Sequence, residues 1–472
     1  MTPRIIVALL LSSARSACVV GPKYTPPVAG LTQAYVTDQP LAAADPQWWH
    51  SFGDPVLDTI VERALAQNYD LAAAAARIQQ ARALAGGATA RLLPTVDAAG
   101  SAEADHQSLH TPFGIASNEL GFPRNYELYQ AGVQASWELD LFGGLTRRQQ
   151  AARAQLSGTI ADAAAVRLGV EAETVDAYLQ LRGAQAQLQV AQAQYTVADN
   201  LVTLISQREA QGLSAPRDVL RATGDRDGVA ARIPRLNRAI AAQINAIDVL
   251  TGQQAGGADP ALAQVAAIPA PPQPSGSAIP ADLMRRRPDV VAAESQMVAA
   301  NAQIGAALSK YYPHLSFSGL LGVASVGGTS FLGGGAVQTT GQAALRWRLF
   351  DFGRIDAEVK QARGHKAETM AQYRATLLHA TADVENAMVA LTQGRNEVTI
   401  RQQQVAALTR SRDQAQQAYG VGTVALIEVL DADRALLEAS DELAQARAMA
   451  ARASLATTRA LGGGYTQGTT HG

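Results

Sequence analysis

The triplet Asp351-Phe352-Gly353 has the residue types of the metal-binding motif of protein kinases. In that motif the aspartate holds a magnesium ion against the nucleotide phosphates. A kinase also needs a glycine-rich nucleotide loop, a lysine on a strand and a catalytic-loop signature, and the sequence contains none of them. We therefore interpret the triplet as a turn at which a strand gives way to a helix.

Histidines occur twice at spacings that could serve a metal ion or a proton transfer. His106 and His110 lie four positions apart in a segment expected to be strand or loop, and His379 and Asp383 have the same spacing on a predicted helix. A metal site needs further ligands at suitable spacing, which neither pair has. We expect solvated loop histidines in the first case and a surface contact in the second. The sequence predicts no enzyme activity, no metal site and no bound cofactor.

Cys18 is the single cysteine of the chain, which leaves no partner for a disulfide within the chain and no thiolate metal cluster. It follows Arg4, a short apolar run and small residues, which is the pattern of a signal peptide over residues 1–17. The position resembles the lipid-attachment cysteine of bacterial lipoproteins, with Arg15 where that pattern has an apolar residue. We expect a diacylglycerol and a palmitate on Cys18; an incidental free thiol is the alternative.

A charged segment follows a glycine-rich turn near the C-terminus. Tyr419-Gly420-Val421-Gly422 forms the turn, and Ile427, Asp431 and Arg434 lie at the start of the helix predicted after it. Carboxylates are stabilised at a helix N-terminus by the helix dipole. Asp431 and Arg434 are three positions apart, so from the spacing alone they form a weak solvated ion pair.

The overall composition restricts the class of protein. Of 472 residues only 17% are charged and 5% aromatic, which favours long helices packed through small side chains. The net charge of −2 argues against a nucleic-acid partner. After the N-terminal segment, no stretch approaches the roughly 18–20 apolar residues that a membrane helix requires.

The chain contains an internal duplication. Trp137-Glu138-Leu139-Asp140-Leu141-Phe142-Gly143-Gly144 returns 210 positions later as Trp347-Arg348-Leu349-Phe350-Asp351-Phe352-Gly353-Arg354. Leu93-Pro94 returns 219 positions later as Tyr312-Pro313. The first copy therefore carries nine extra residues in the hairpin region, and we place them in its outer loop. A repeat this long is a duplicated half-molecule and not a solenoid.

Each copy is predicted to contain a helix, a β-hairpin, a very long helix and a return helix. In the first copy the first helix is expected from Pro55 to about Ala90, and the return helix from about Pro216 to about Leu250. Proline-free residues 144–211 carry apolar residues every seven positions, and at 1.5 Å per residue this helix measures about 100 Å. The predicted organisation is as follows: signal peptide 1–17, lipid-anchored extended arm 18–52, first repeat 53–252 with hairpin 95–139, Pro-rich linker 253–282, second repeat 283–462 with hairpin 314–349, and disordered tail 463–472.

Around Trp137 apolar and polar residues alternate, which is typical of a strand with one apolar face. Two hairpins with one apolar face each leave open sheet edges. Four strands cannot close a transmembrane barrel, which starts at about eight strands. The pattern therefore indicates that several subunits donate four strands each to one barrel, with the long helices forming a helical wall below it.

Several motifs resemble outer-membrane efflux lipoproteins. They are Val20-Gly21-Pro22-Lys23-Tyr24-Thr25-Pro26-Pro27, Trp48-Trp49-His50-Ser51-Phe52-Gly53-Asp54-Pro55, Arg286-Arg287-Pro288-Asp289-Val290 and Tyr419-Gly420-Val421-Gly422-Thr423. From Cys18 to Gly464 the chain resembles the TolC superfamily, and within it the NodT-type lipoproteins of resistance-nodulation-division efflux systems.

The resemblance implies a mainly α protein with a small β part that forms a homotrimer. A twelve-stranded barrel in the outer membrane would continue into a periplasmic α-helical barrel, and the whole would be a passive exit duct for small molecules such as drugs or toxic compounds. The implied partners are a periplasmic adaptor, an inner-membrane resistance-nodulation-division pump and outer-membrane lipids. A non-channel coiled-coil lipoprotein is the alternative.

The resemblance also implies a gate at the periplasmic end of the helices. Asp431 and Arg434 would link helices there, Ile427 would form an apolar constriction and Tyr419 would pack nearby. Arg221 occupies the position of Asp431 in the first copy, so the acidic gate is expected only in the second copy.

Overall fold

The structure is a computed structural model that describes residues 19–27, 45–257, 260–272, 286–327 and 333–465. Cys18 and the predicted signal peptide, residues 28–44 of the predicted arm, residues 258–259 and 273–282 of the predicted linker, and tail residues 466–472 lie outside the described residues. The helices and strands are α1 Pro55–Gln67, α2 Tyr69–Ala90, β1 Thr95–His106, α3 Pro112–Glu119, β2 Asn125–Leu139, α4 Gly144–Ala210, α5 Pro216–Ala230, α6 Arg232–Leu250, α7 Pro260–Ala263, α8 Pro288–Leu308, β3 His314–Val326, β4 Val337–Arg346, α9 Arg354–Gly420 and α10 Leu426–Ala460.

The chain divides into two compact units. Among the described residues, the sheet unit comprises 19–27, 79–158, 294–327 and 333–371, and the helical unit comprises 45–78, 159–257, 260–272, 286–293 and 372–465. The two longest helices, α4 and α9, have 67 residues each and match the predicted long helices. Both begin after a left-handed glycine, at Gly143 and Gly353, because a backbone with φ of 76° and 85° is unstrained only in glycine.

The sheet has the strand order β1-β2-β3-β4, and every neighbouring pair is antiparallel. The first hairpin pairs Thr95 with Ser136 and the second pairs His314 with Arg346. Shifting the first pair by the two repeat offsets gives the second pair, so both hairpins have one register. The extra residues of the first copy therefore lie outside the paired strands, in the loop 107–124, as the sequence indicated.

Part of that outer loop is helical, where the sequence had indicated only a loop. Helix α3 begins at Pro112 because Thr111 accepts a hydrogen bond from the Gly114 amide at 3.1 Å and Pro112 suits the first helical turn. This N-terminal cap stabilises a short helix although glycine and asparagine in the segment favour a loop.

Two predicted continuous helices are broken. The helix expected from Pro55 to Ala90 is interrupted at Asn68, whose side-chain oxygen caps the amides of Asp70 and Leu71 at 2.8 and 3.2 Å. The helix expected up to Leu250 is interrupted at Ala231, because Pro234 has no N–H to donate to the preceding turn.

The predicted extended arm is wrong at its C-terminal end. Residues Trp48–Phe52 form a 3₁₀ helix, and Trp48, Trp49 and Phe52 are buried in the core of the helical unit. Three bulky aromatic side chains remove much apolar area from water, which stabilises this segment although it has no periodicity. They pack with side chains from distant parts of the chain, among them Leu57, Ile60, Val175, Leu179, Leu181, Ile247, Leu262 and Leu455.

The second hairpin is shorter than predicted. Strand β4 ends at Arg346, so Trp347 and Leu349 lie beyond it, although their counterparts Trp137 and Leu139 belong to β2. The difference arises because β3 pairs with β2 up to Leu139, whereas β4 is the last strand of the sheet. Within the described ranges, no helix is long and apolar enough to cross a membrane.

Candidate functional site

The predicted gate residues lie in the helical unit around two equivalent turns. The turn between α4 and α5 contains Gly212, and the turn between α9 and α10 contains Gly422, with φ of 71° and 78°. Helices α5 and α10 begin directly after these turns, at Pro216 and Leu426. The duplication therefore places the start of one return helix in each repeat beside a long helix.

Arg434 links the two return helices. Its Nη2 atom donates a hydrogen bond to Asp225 Oδ1 at 2.6 Å, and its Nη1 atom lies 3.5 Å from Asp431 Oδ1. The hydrogen bond and the charge of Asp225 raise the pKa of Arg434, so the guanidinium remains charged. The predicted pair of Asp431 and Arg434 is present, but the shorter contact is the one between helices.

Asp225 is a residue that the sequence analysis missed. The signal for it is the repeat offset of 210, which relates Arg434 to Gly224. Asp225 directly follows this counterpart of Arg434 in the first copy. Arg221, the counterpart of Asp431, is exposed.

Tyr419 contacts the other long helix. The guanidinium carbon of Arg208 on α4 lies 5.0 Å from the centre of the Tyr419 ring, a cation–π distance. Ile427 is half-buried near the start of α10. The structure thus brings Tyr419 and Arg434 into links between the first and the second repeat.

A buried carboxylate lies between the same helices. Asp433 is 6% exposed, its carbonyl oxygen accepts a hydrogen bond from Gln194 at 3.3 Å, and its Oδ1 atom lies 3.8 Å from Arg412 Nη1. Burial raises the pKa of Asp433, and the positive charge of Arg412 partly offsets this. Asp433 therefore joins α4, α9 and α10, and sequence spacing gave no sign of it because Arg412 is on another helix.

The residues that the sequence analysis considered as metal or proton-transfer sites make structural hydrogen bonds. His106 Nδ1 is 2.5 Å from Asn125 Oδ1 on the neighbouring strand. Asp383 accepts a hydrogen bond from Arg287 at 3.0 Å, where the sequence had suggested a contact with His379. Asp351 accepts from the amides of Gly353 and Ile355 at 3.0 and 2.8 Å, so the triplet is a helix-starting turn. In the part of the chain that the structure describes, no three potential ligands are grouped to hold a metal ion.

A duplicated helix–hairpin–helix chain with a four-stranded sheet and 67-residue helices is the architecture of an outer-membrane efflux channel. Residues 60–253 and 279–463 match the family described as Outer membrane efflux protein, and the chain belongs to that family. It is the outer-membrane channel component of an efflux pump and not an enzyme.

Individual relatives cover nearly the whole chain. The pyoverdine export outer membrane protein OpmQ of Pseudomonas putida is 31% identical over 98% of both chains. Nodulation protein T of Rhizobium leguminosarum bv. trifolii is 28% identical over 95% of both. Among solved structures, the outer-membrane channel OprN matches with a TM-score of 0.87 and 31% identity, over 95% of this chain and 99% of that one. The resemblance to the efflux family is thereby confirmed.

Proposed function

We propose that three copies of this chain form the passive exit duct of a tripartite efflux pump. Each copy supplies four strands to a twelve-stranded barrel in the outer membrane and its long helices to a helical barrel in the periplasm. The two outer edges of the four-stranded sheet support this, because a membrane strand must pair on both sides. An inner-membrane resistance-nodulation-division pump, joined through a periplasmic adaptor, supplies the energy.

The duct itself does not choose the cargo. OpmQ is named for pyoverdine export, and this chain is similar to it over nearly its full length. We propose that small molecules such as drugs or toxic compounds pass through this protein, and that the pump selects them while the duct excludes by size and charge.

The duct is anchored by lipid at Cys18. The segment directly after this residue is held against the start of α4: Val20 donates to the Phe142 carbonyl at 3.1 Å, and Arg147 donates to the carbonyls of Val20 and Gly21 at 3.0 and 3.1 Å. These bonds support an anchor beside the junction of β2 and α4, where the strands meet the helices.

The gate is formed by Asp431, Arg434, Ile427 and Tyr419. The observation that carries this proposal is the Arg434–Asp225 bond of 2.6 Å between the two return helices. Separation of the helices would break this link and the Arg208–Tyr419 contact together. Three copies of Asp431 around a channel axis would also favour cations.

Single-channel conductance in a planar bilayer tests the gate. The double variant Asp431→Ala with Arg434→Ala should raise the conductance by a factor of about two or more, because the links that hold the helices together are lost. Asp225→Asn should shift the conductance in the same direction.

Glu438→Ala is the matched control, since it removes an exposed carboxylate of the same helix, and its conductance should equal that of the unsubstituted protein. Unchanged conductance in the double variant would remove the gate assignment. Absence of any conductance in the unsubstituted protein would favour the non-channel lipoprotein.

A further inference from the structure

The buried carboxylate of Asp433 lacks part of the bonding that a buried charge requires. Its Oδ1 atom is inaccessible to water and has no hydrogen-bond partner among the described residues. The Nη1 atom of Arg412 on α9 lies 3.8 Å from it, which is beyond hydrogen-bonding distance. A buried ionised group that is not fully hydrogen-bonded is costly, so its presence here calls for a physical explanation.

Arg412 has a shorter contact with another carboxylate. Its Nε atom lies 2.8 Å from Oδ1 of Asp413, the next residue of α9, whose side chain is 53% exposed. An arginine that already holds this carboxylate compensates the charge of Asp433 only in part. Burial raises the pKa of Asp433, and the charge of Arg412 and the bond from Gln194 offset only part of this effect. The ionised carboxylate therefore destabilises the packing of α10 against α4 and α9.

The first repeat shows that the fold does not require this charge. At the offset of 210, Asp433 corresponds to Thr223 and Arg412 to Val202. The Thr223 hydroxyl donates to the Val219 carbonyl of its own helix at 2.8 Å, so it is satisfied without any partner on α4. The same two positions are thus filled by an uncharged pair in one copy and by a charged pair in the other.

Asp433 lies next to the links of the proposed gate. The following residue, Arg434, donates to Asp225 on α5, and Asp431 lies one position before Ala432 on the same helix. These links hold the helices together, whereas the buried charge of Asp433 acts against their packing. Separation of α10 from α4 and α9 would admit water to the carboxylate and supply the hydrogen bonds that it lacks.

We propose that Asp433 biases the gate towards opening, because its buried carboxylate destabilises the closed helix packing and is solvated when the helices separate. This inference rests on the proposed function and gives its gate a group that opposes the Arg434 links. The helix packing described above is the closed one in this proposal. Asp433 acts on the helices and not on the transported molecules, and it keeps closure weak enough for a partner protein to overcome.

A dependence on pH follows from the change in solvation. The closed packing binds a proton at Asp433 more tightly than the separated helices do, because only the closed packing buries the carboxylate and raises its pKa. Acid therefore stabilises the closed state, and the bias towards opening is lost as the pH falls. The other titratable or charged groups on the elements packed here are Tyr195 and Asp199 on α4, Asp225 and Arg226 on α5, Arg412 and Asp413 on α9, and Asp431 and Arg434 on α10.

Single-channel recording in a planar bilayer tests the bias. Asp433→Thr, which introduces the side chain of the first copy, should lower the open probability at neutral pH by about threefold or more. The direction is opposite to that expected for Asp431→Ala with Arg434→Ala. Asp433→Asn should lower it as well, because the buried charge is removed. Glu438→Gln is the matched control, since it removes an exposed carboxylate of the same helix and should leave the open probability unchanged.

The pH profile is the measurement that a purely structural role would not change. In the unsubstituted protein the open probability should fall between about pH 7 and about pH 4.5, and this fall should be much smaller in Asp433→Thr and Asp433→Asn. If the unsubstituted protein opens too rarely for a fall to be measured, the same comparison is made in the Asp431→Ala, Arg434→Ala background. Adding Asp433→Thr to that background should lower its open probability.

A second variant guards against a defect in folding. Asp433→Thr with Arg412→Val reproduces the uncharged pair of the first copy and should also assemble and open less often. If both variants fail to form the oligomer that Glu438→Gln forms, Asp433 is needed for folding and the proposal is overturned.

The remaining outcomes separate this proposal from the proposed function. If the protein is a conducting trimer and Asp433→Thr raises the open probability, leaves it unchanged, or lowers it without altering the pH profile, the bias is overturned and the duct stands. If native mass measurement and conductance show neither trimer nor channel in any of these proteins, the proposed function falls and this inference falls with it. A lower open probability with a flattened pH profile supports the inference.

Discussion

At the residue scale, the weakness of the Arg434 link is consistent with the proposed gate, which would have to open. Arg434 has a side chain that is 57% exposed, and its partners Asp225 and Asp431 are 30% and 58% exposed. An ion pair with this exposure contributes about 1 kcal/mol or less. A closed state held by such links can be opened by the binding energy of a partner protein.

Glu171 is a residue whose charge state depends on the folded core. It is buried, with its carboxyl oxygens 2.9 Å from Arg167 Nε and 3.3 Å from Trp48 Nε1. Burial raises the pKa of Glu171 from 4.5 to about 7, and the attraction of Arg167 and the bond from Trp48 offset only part of this effect. Between about pH 4.5 and pH 7, the Glu171 carboxyl group therefore holds a proton in the folded protein and has lost it in the unfolded chain.

The pH dependence of stability follows from this pKa. The contribution of Glu171 is complete below about pH 4.5 and is lost as the pH rises to about 7, a change on the order of 3 kcal/mol. Glu171→Gln should make the thermal unfolding midpoint less dependent on pH between about 4.5 and 7. Glu173→Gln, an exposed carboxylate on the same helix, should leave the slope unchanged. Equal slopes in all three proteins would contradict the assignment.

At the element scale, each repeat ties the start of one helix to the end of another. Asn68 donates to the Leu250 carbonyl at 2.9 Å, and Arg287 donates to the Ala460 carbonyl at 3.1 Å. The four positions are related by the repeat offsets, although asparagine and arginine are different residues. Both bonds satisfy a carbonyl at a helix C-terminus, where no amide of the same helix is available.

The cap of α1 gives a test at this scale. Asp54 accepts hydrogen bonds from the amides of Val56 and Leu57 at 3.0 and 3.3 Å and from the Tyr178 hydroxyl at 2.6 Å. Asp54→Ala should lower the free energy of unfolding by about 1–2 kcal/mol, since the cap is lost. Asp54→Asn keeps an acceptor and should lose less. Chemical denaturation measures the free energy of unfolding of both variants. Equal losses would show that the acceptor for the helix amides does not account for the effect.

At the scale of the whole molecule, the two hairpins share one register, and β2 pairs with β3 in a different register. The hairpins have identical pairing, and the seam between them joins β2 to β3. A sheet whose two edges are counterparts of its own central pair can continue from copy to copy and close into a ring. The duplication of the chain therefore supports the proposed trimer.

The proposed lipid anchor is also tested on the whole molecule. Cys18→Ser should abolish incorporation of labelled palmitate, because this is the only cysteine. It should leave the proposed trimer intact in detergent, since in that proposal the strands and helices hold the copies together. Labelled fatty acid in the variant would contradict the anchor. Loss of the trimer would mean that the lipid also contributes to assembly.

Local patterns in the sequence were sufficient for the long elements. The absence of proline between residues 144 and 211 and the alternation around Trp137 predicted α4 and β2 closely, because helix and strand periods are local properties. The breaks at Asn68 and Ala231 were missed. The break at Asn68 depends on a cap made by its side chain and on its hydrogen bond to Leu250, which lies far along the chain.

The sequence by itself determined the duplication, the two hairpins, the long helices and the family, since all of these depend on residue order and spacing. Only the tertiary structure decided that Trp48–Phe52 lies in a core, that Arg434 bonds to Asp225, and that Asp433 is buried beside Arg412. Each of these depends on side chains that are distant in sequence, and the register that repeats from hairpin to hairpin is visible only once the strands are paired.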